Sequence, residues 1–224
     1  MTAGSTSGLE WKEGDVPVSL RFDDPYFSLG NGLAETRHVF LAGNDLPERF
    51  RDGFSIAELG FGTGLNMLAT WIALRDQGFQ GEMRYTSFEG YPLEADEIDR
   101  ALRAFPEAHA VAAPFLEQWG AGSKVIILPG LRAEILIGDV REWLPAWTGR
   151  ADAWYLDGFS PAKNPEMWGA DLMAEVGRHT APGGTFATYT AAGHVRRALG
   201  EAGFAVERVP GFGHKRHMSR GVKA

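Results

Sequence analysis

Residues 57–66 read AELGFGTGLN, and the fold turns on how they are read. The preceding run, FSIAEL at 54–59, has the length and apolar content of a buried strand, and a 3.6-residue apolar pattern begins at Leu65 and continues to residue 76. Between them Gly60, Gly62 and Gly64 form a loop in which the backbone can turn tightly and approach a ligand. The spacing is G-x-G-x-G, not the G-x-G-x-x-G of dinucleotide sites. Alone, such a loop does not separate a cofactor site from a structural turn.

Outward from this unit the alternation repeats. The pattern predicts strands at 54–59, 83–89, 134–138, 152–157, 184–190, 204–209 and 214–219, with helices at 65–76, 93–104, 109–119, 166–179 and 192–202. Alternating strands and helices predict an α/β fold with a mostly parallel sheet covered on both faces. Only PGFG (210–213) joins the last two strands, too short for a parallel crossover, so they are expected to be antiparallel. VIILPGLRAEILIG (125–138) reads as a hairpin leading into the third strand. Residues 1–50 break the alternation. They are rich in turns and aromatics, with Asn31-Gly32 as a hairpin signal, and are expected to form an N-terminal β appendage or lid beside a main domain of 51–224. The Gly/Ser/Thr-rich start reads as a loose tail.

Composition narrows the chemistry. Forty-four per cent apolar residues, seven Trp and 14 Phe in 224 residues suffice for one large core. The absence of Cys excludes disulfides, thiolate nucleophiles and Cys-based zinc sites, and fits a cytoplasmic location. No run of 18 apolar residues predicts a membrane helix, and the start lacks the basic-then-apolar pattern of a signal peptide. The net charge of −7 is uneven: His194–Ala224 carry seven Lys/Arg against two acids, which predicts a basic C-terminal face on an acidic body.

The acids at the strand ends are more informative. Glu58 precedes the glycine loop, Glu89 ends the second strand, Asp139 follows the third, and Asp157 ends the fourth within WYLDGFSPAKNPEMW (154–168). Ligands of open parallel sheets bind at the carboxyl ends of strands. Four carboxylates there would repel a pyrophosphate but suit a guest with an ammonium, a sulfonium, ribose hydroxyls and an adenine amino group, which describes S-adenosylmethionine. Glu58 and the loop should hold the methionine end, Glu89 the ribose hydroxyls, and Asp139 the adenine amino group. A helix N-cap is the competing reading for each acid, strongest for Asp139. The fourth strand is expected beside the first, placing Asp157 where it can orient a nucleophile and accept its proton. Phe159 is a candidate for stacking on a flat substrate, and Lys163 and Asn164 for reaching a phosphate or carbonyl, with an exposed charge the simpler reading of Lys163. Trp168 reads as packing. No His/carboxylate cluster suggests a metal.

These stretches, with DPYFS, NGLAETRHVFLAGNDLPERF, YTSFEGYPL, PGGTFATYTAAGHVRRALGEAGF and GFGHKRHM, closely resemble the methyltransferase part of the tRNA 5-methylaminomethyl-2-thiouridine biosynthesis family, from about residue 24 to 218. The resemblance implies a class I S-adenosylmethionine-dependent methyltransferase (Rossmann-like) fold. It also implies methyl transfer to the exocyclic amine of 5-aminomethyl-(2-thio)uridine at the tRNA wobble position. Carried over by motif, Glu58, Gly60, Gly62, Gly64, Glu89, Asp139 and Asp157 fall in the cofactor pocket, and Tyr26, Asn31, Glu35, Arg37 and Asn44 close over cofactor and base. Glu35 and Arg37 read equally as a structural ion pair, and Tyr26 as a buried ring. Arg196, Arg197, Lys215 and Arg216 are expected to contact the phosphates of the tRNA anticodon loop, with a solvated basic face as the alternative. Two-domain members carry an FAD-dependent oxidase half, for which this chain has no second glycine fingerprint, so methylation alone is expected. His217 stands where the family would place an acid. A small-molecule amine remains the alternative acceptor.

Overall fold

The computed structural model describes residues 8–28 and 31–224; the loose tail expected at the start lies mostly outside them. In chain order the elements begin with three short strands, β1 (Leu9–Lys12), β2 (Val16–Ser19) and β3 (Asp24–Pro25), then the helix α1 (Gly32–Thr36). A π-helical turn (Arg37–Leu41) and a 3-10 turn (Ala42–Asn44) continue α1. The alternating part follows as β4 (Ser55–Leu59), α2 (Leu65–Asp76), β5 (Met83–Glu89), α3 (Ala95–Leu102), α4 (Pro106–His109) and α5 (Ala113–Gly120). Next come β6 (Val125–Leu128), β7 (Leu131–Ile137), α6 (Val140–Ala146) and β8 (Ala151–Leu156). The chain ends with α7 (Ala170–Arg178), β9 (Thr180–Thr188), α8 (Gly193–Glu201), β10 (Phe204–Pro210) and β11 (His217–Lys223).

The main sheet has eight strands in the order β10-β11-β9-β8-β4-β5-β7-β6. Its centre is parallel, while β6 and β11 pair antiparallel with their neighbours. Strand alternation divides the core in two. Ile56, Tyr85, Ala153 and Tyr155 face one layer with Leu68 and Phe115; Ala57, Phe88, Trp154 and Phe186 face the other with Leu172 and Leu199. From β4 the order runs outward through β5 and β7, then returns to β8 on β4's other side. The topological switch point therefore lies between β4 and β8, where a parallel sheet opens its crevice.

The sequence-based elements hold with particular exceptions. The last strand begins at His217, three residues later than expected, because residues 211–216 form the connection to β10. Helices expected at 109–119 and 166–179 are each interrupted, the second by Gly169 between a 3-10 turn (Pro165–Trp168) and α7. Helix α6 was not expected. The β character expected over 1–50 holds for 9–25 only. Asn31-Gly32 is not a hairpin turn: the Asn31 carboxamide caps α1, accepting from the Ala34 N–H at 3.1 Å. The helical segment then buries Val39, Phe40 and Leu41 in the core.

The turn after β4 is fixed by backbone proximity. Gly60 has φ +84°, and a Cβ there would lie 2.9 Å from the Gly158 Cα in the loop after β8. Gly60→Ala should combine a strained backbone with a clash between two loops and lower unfolding free energy by about 2–4 kcal/mol. Urea denaturation checks this, and a change below 1 kcal/mol would mean that the loops do not meet.

Candidate functional site

A cavity of about 430 Å³ opens at the carboxyl ends of β4, β5, β7, β8 and β9, within the range of small-molecule sites. Its floor is built at the switch point. Glu58, on β4, is register-paired with Ser87 of β5 and Tyr155 of β8, so all three side chains share the face covered by α2. Asn66, in the first turn of α2, donates from its Nδ2 to Glu58 Oε1 and to Asp157 Oδ2, both at 2.8 Å. Its Oδ1 accepts from the Thr36 hydroxyl at 2.9 Å, and Ser87 donates to Glu58 Oε2 at 2.7 Å. One amide thus holds two carboxylates from adjacent strands.

Burial sets the proton affinity of both acids. Glu58 has no solvent exposure and its carboxyl is pushed up to about 8, with Asp157 adding repulsion and the Ser87 and Asn66 bonds pulling the other way. The Tyr85 hydroxyl lies beside it without a partner in hydrogen-bond geometry. Asp157 is pushed up to about 6, again by burial, against the Asn66 bond and the positive charge of Lys215. Glu89 is also raised by burial. Its oxygens accept from the Gly62 N–H (2.8 Å) and the Tyr91 N–H (2.7 Å), and the Gly90 and Phe61 N–H groups also favour its ionised form.

A cover reaches over the cavity from the N-terminal sheet. Phe22 stacks on Phe159 at 4.6 Å and Tyr26 meets the same ring edge-on at 5.1 Å. Asp24 accepts from the Ser160 N–H at 2.8 Å, and the Arg21 guanidinium lies 4.7 Å over the Tyr91 ring. Tyr26 is half-buried, its ionisation opposed by burial and by Glu89. On the far side, Lys215 donates to Glu35 at 2.7 Å and lies 4.4 Å from the Tyr189 ring centre.

The structure brings together Gly60, Gly62, Glu89, Asp139, Asp157, Tyr26, Phe159 and Lys215 around this cavity. The remaining candidates are placed as follows. Glu58 sits behind the wall and meets the cavity through Asn66. Gly64 packs against Phe115 at the start of α2. Asp139 lines the cavity but is the N-cap of α6, bonding the Arg141 N–H at 2.9 Å and its guanidinium at 2.6 Å. Phe159 has one face taken by Phe22. Asn31 is exposed and spent on capping α1. Asn44 is fully buried at mid-sheet, donating to the Phe40 and Trp154 carbonyls and accepting from Thr185, and so ties the 37–44 turns to β8 and β9. Lys163 is exposed and paired with Asp23 at 2.5 Å. Glu35 and Arg37 do not pair: Glu35 meets Lys215, and Arg37 meets Glu107. Arg197 and Arg216 are exposed, whereas Arg196 is half-buried. Among the described residues, no group of three or more His, Asp or Glu is placed to hold a metal ion, and no helix is long and apolar enough to cross a membrane.

Sequence reasoning did not single out Asn66, Thr36, Ser87 or Tyr189. Asn66 gave a faint signal, a polar amide of low helix propensity just inside a helix that is otherwise buried almost all round. Tyr189, one residue beyond β9, is found by applying the strand-end rule to aromatics as well as acids.

Comparison with known proteins agrees with this geometry. A family described as S-adenosyl-L-methionine-dependent methyltransferase matches residues 106–224. The bifunctional tRNA 5-methylaminomethyl-2-thiouridine biosynthesis protein MnmC of Stutzerimonas stutzeri (strain A1501) is 48% identical over 95% of this chain and 34% of that protein. The protein of the same name from Caulobacter sp. (strain K31) is 45% identical over 99% of this chain and 39% of its own. The chain thus spans little more than a third of the length of these curated relatives. The crystal structure of MNMC2 from Aquifex aeolicus superposes with a TM-score of 0.78 at 25% identity, over 97% of this chain and 71% of that one. With a carboxylate-lined cavity at the switch point of the sheet and a family match over more than half its length, the chain belongs to the S-adenosyl-L-methionine-dependent methyltransferases.

Proposed function

We propose that this chain transfers the methyl group of S-adenosylmethionine to the exocyclic amine of 5-aminomethyl-(2-thio)uridine at the wobble position of tRNA, giving the 5-methylaminomethyl base. The observation that carries this reading is Asp157, a carboxylate fixed by Asn66 at the switch point and open to the cavity. The names of relatives that match nearly the whole chain support the tRNA substrate. The reading places the chain in the cytoplasm, beside an oxidase activity that exposes the amine.

The residues present fit the cofactor. Gly60 and Gly62 put bare backbone at the wall, and the Glu89 carboxylate, fixed by backbone N–H groups, lines the cavity where a diol would lie. Gly60, Gly62 and Glu89 would hold it, with Asn66 and Asp157 at the sulfonium end. Bound there, S-adenosylmethionine supplies an electrophilic methyl group. The protein must present a neutral amine in line with it. An alkylamine has a reference pKa of roughly 10.4 and arrives mostly protonated. Asp157 pairs with the ammonium, orients it and accepts its proton. A carboxyl pushed up to about 6 is ionised at pH 7 and still basic enough for that transfer. The exposed Arg197, Arg208 and Arg216 have no acidic partner among the described residues and would meet phosphates.

Labelled S-adenosylmethionine incubated with tRNA bearing 5-aminomethyl-uridine should yield labelled 5-methylaminomethyl-uridine. Label on a free alkylamine but none on tRNA would point to a small-molecule acceptor instead. Asp157→Asn should retain the cofactor and lose about 10²- to 10⁴-fold in turnover; near-normal turnover would remove Asp157 from the chemistry.

Since the Asp157 carboxyl is raised to about 6 and must be ionised, kcat/KM should fall tenfold per unit below about pH 6. A profile flat down to pH 5 would exclude Asp157 as the acceptor. Removing both Arg197 and Arg216 should weaken tRNA binding and lower the log K against log salt slope by about 1–2. An unaltered slope would leave them as a solvated face.

A further inference from the structure

Among the described salt bridges, Glu35 is the least exposed carboxylate, below Asp152 at 19% and Glu175 at 27%. In Lys163–Asp23 the carboxylate side chain is 82% exposed; in Lys215–Glu35 it is 11% exposed, while the lysine remains 42% exposed. Glu35 is fixed in α1, whose neighbours Leu33 and Thr36 are buried. Lys215 arrives on the 211–216 connection between β10 and β11. The acid belongs to the rigid wall and the cation to a loop.

The surroundings of the lysine ammonium suit a cationic guest. Its Nζ donates to Glu35 Oε1 at 2.7 Å and sits 4.4 Å from the centre of the Tyr189 ring. The Tyr189 hydroxyl donates to the Gly158 carbonyl at 2.9 Å, which fixes that ring against the turn carrying Asp157. Glu35, Asp157, Tyr189 and Lys215 line one cavity, and the charges of both Glu35 and Lys215 are felt at Asp157. Carboxylate and aromatic face together form a common cage for an alkylammonium. Among the described residues, Lys215 Nζ is the only partner of the Glu35 carboxylate.

We propose that Glu35 and the face of Tyr189 form a subsite for a primary alkylammonium beside Asp157, which Lys215 fills in the free protein and the substrate amine takes over, a role that rests on the amine-acceptor reading above. The lysine side chain is a chemical double of the protonated aminomethyl group. It keeps Glu35 from being buried without a counter-ion when the site is empty. A uridine lacking the aminomethyl group brings no cation to displace it. The subsite therefore selects the modified base by charge exchange, and Lys215 acts as a resident competitor and not as a phosphate contact.

Ethylammonium chloride is a probe that requires neither tRNA nor turnover. Thermal unfolding of Lys215→Ala should shift upward saturably with ethylammonium relative to equal potassium chloride. Wild type and Lys215→Ala/Glu35→Gln should not respond. Lys215→Met, which keeps most of the stem, serves the same purpose if the alanine variant is unstable. With tRNA, Glu35→Gln should raise KM roughly 10- to 100-fold, the loss of one charge-assisted hydrogen bond, with kcat changed less. Lys215→Ala should lower KM and keep its salt dependence. Lysine variants indifferent to ethylammonium overturn the proposal, as does a Lys215→Ala enzyme with raised KM and a shallower salt slope. Ethylammonium binding with no methylation of tRNA would sustain the subsite and sink the tRNA reading.

Discussion

The carboxamide of Asn66, shared between Glu58 and Asp157, is the interaction on which the site depends. Two acids from neighbouring strands are drawn together under the cavity by a donor that carries no charge. A lysine or arginine there would neutralise them and leave nothing for a cationic guest. An amide satisfies one oxygen of each carboxyl group and adds no charge of its own. Burial makes ionisation of both costly in the empty protein, with carboxyls pushed up to about 6 and about 8 and Asp157 adding repulsion at Glu58. Because both are raised on folding, the stability they contribute is fully present below pH 4 and is lost as pH rises through those values. A sulfonium or ammonium ligand reverses this by favouring the ionised forms.

The fold explains how such an arrangement can be assembled reproducibly. Glu58 and Asp157 lie on β4 and in the turn just after β8, the pair of strands on either side of the switch point. Parallel pairing fixes their relative height, and the close approach of Gly60 to Gly158 keeps the two following loops in contact. α2 starts at once after the glycine loop, so Asn66 in its first turn is above both acids. The Asp23–Lys163 and Asp24–Ser160 contacts then pull the N-terminal strands over the loop after β8.

What was legible in the sequence follows from how local each signal is. The parallel sheet, the antiparallel final strand, and the strand-end positions of Glu89 and Asp157 follow from periodicity and turn residues, which are read over a few positions. Asn31 and Asn44 make structural hydrogen bonds that local sequence does not reveal, for a physical reason. An Asn-Gly pair specifies a turn, but without strands on both sides it serves equally as a helix start, and a carboxamide at the core can bind backbone carbonyls as well as a ligand. Charge alone does not separate Lys215 and Arg196 from the exposed Arg197 and Arg216. Side-chain direction on a hairpin connection or a helix flank is decided by tertiary contacts, here Glu35 in a distant helix. The network around Glu58 was hidden because Ser87 and Thr36 look like ordinary strand and helix residues until the strands are aligned.

Acid and base are then divided in space in a way that suits the proposed substrate. A chain of net charge −7 should repel a polyanion at long range. At physiological salt, however, screening over about 8 Å makes local patches decide contact. Exposed Arg197, Arg208 and Arg216 belong to the C-terminal region, whereas Glu35, Glu89 and Asp157 are gathered inside the cavity. A nucleic acid carrying one aliphatic ammonium on a splayed base presents the complementary pattern, with negative charge along its backbone and one positive group at the tip of the base. A small amine would use the cavity alone, and an unmodified nucleic acid would bring no cation to it. The proposed substrate, having both features, would engage the cavity and the exposed arginines together.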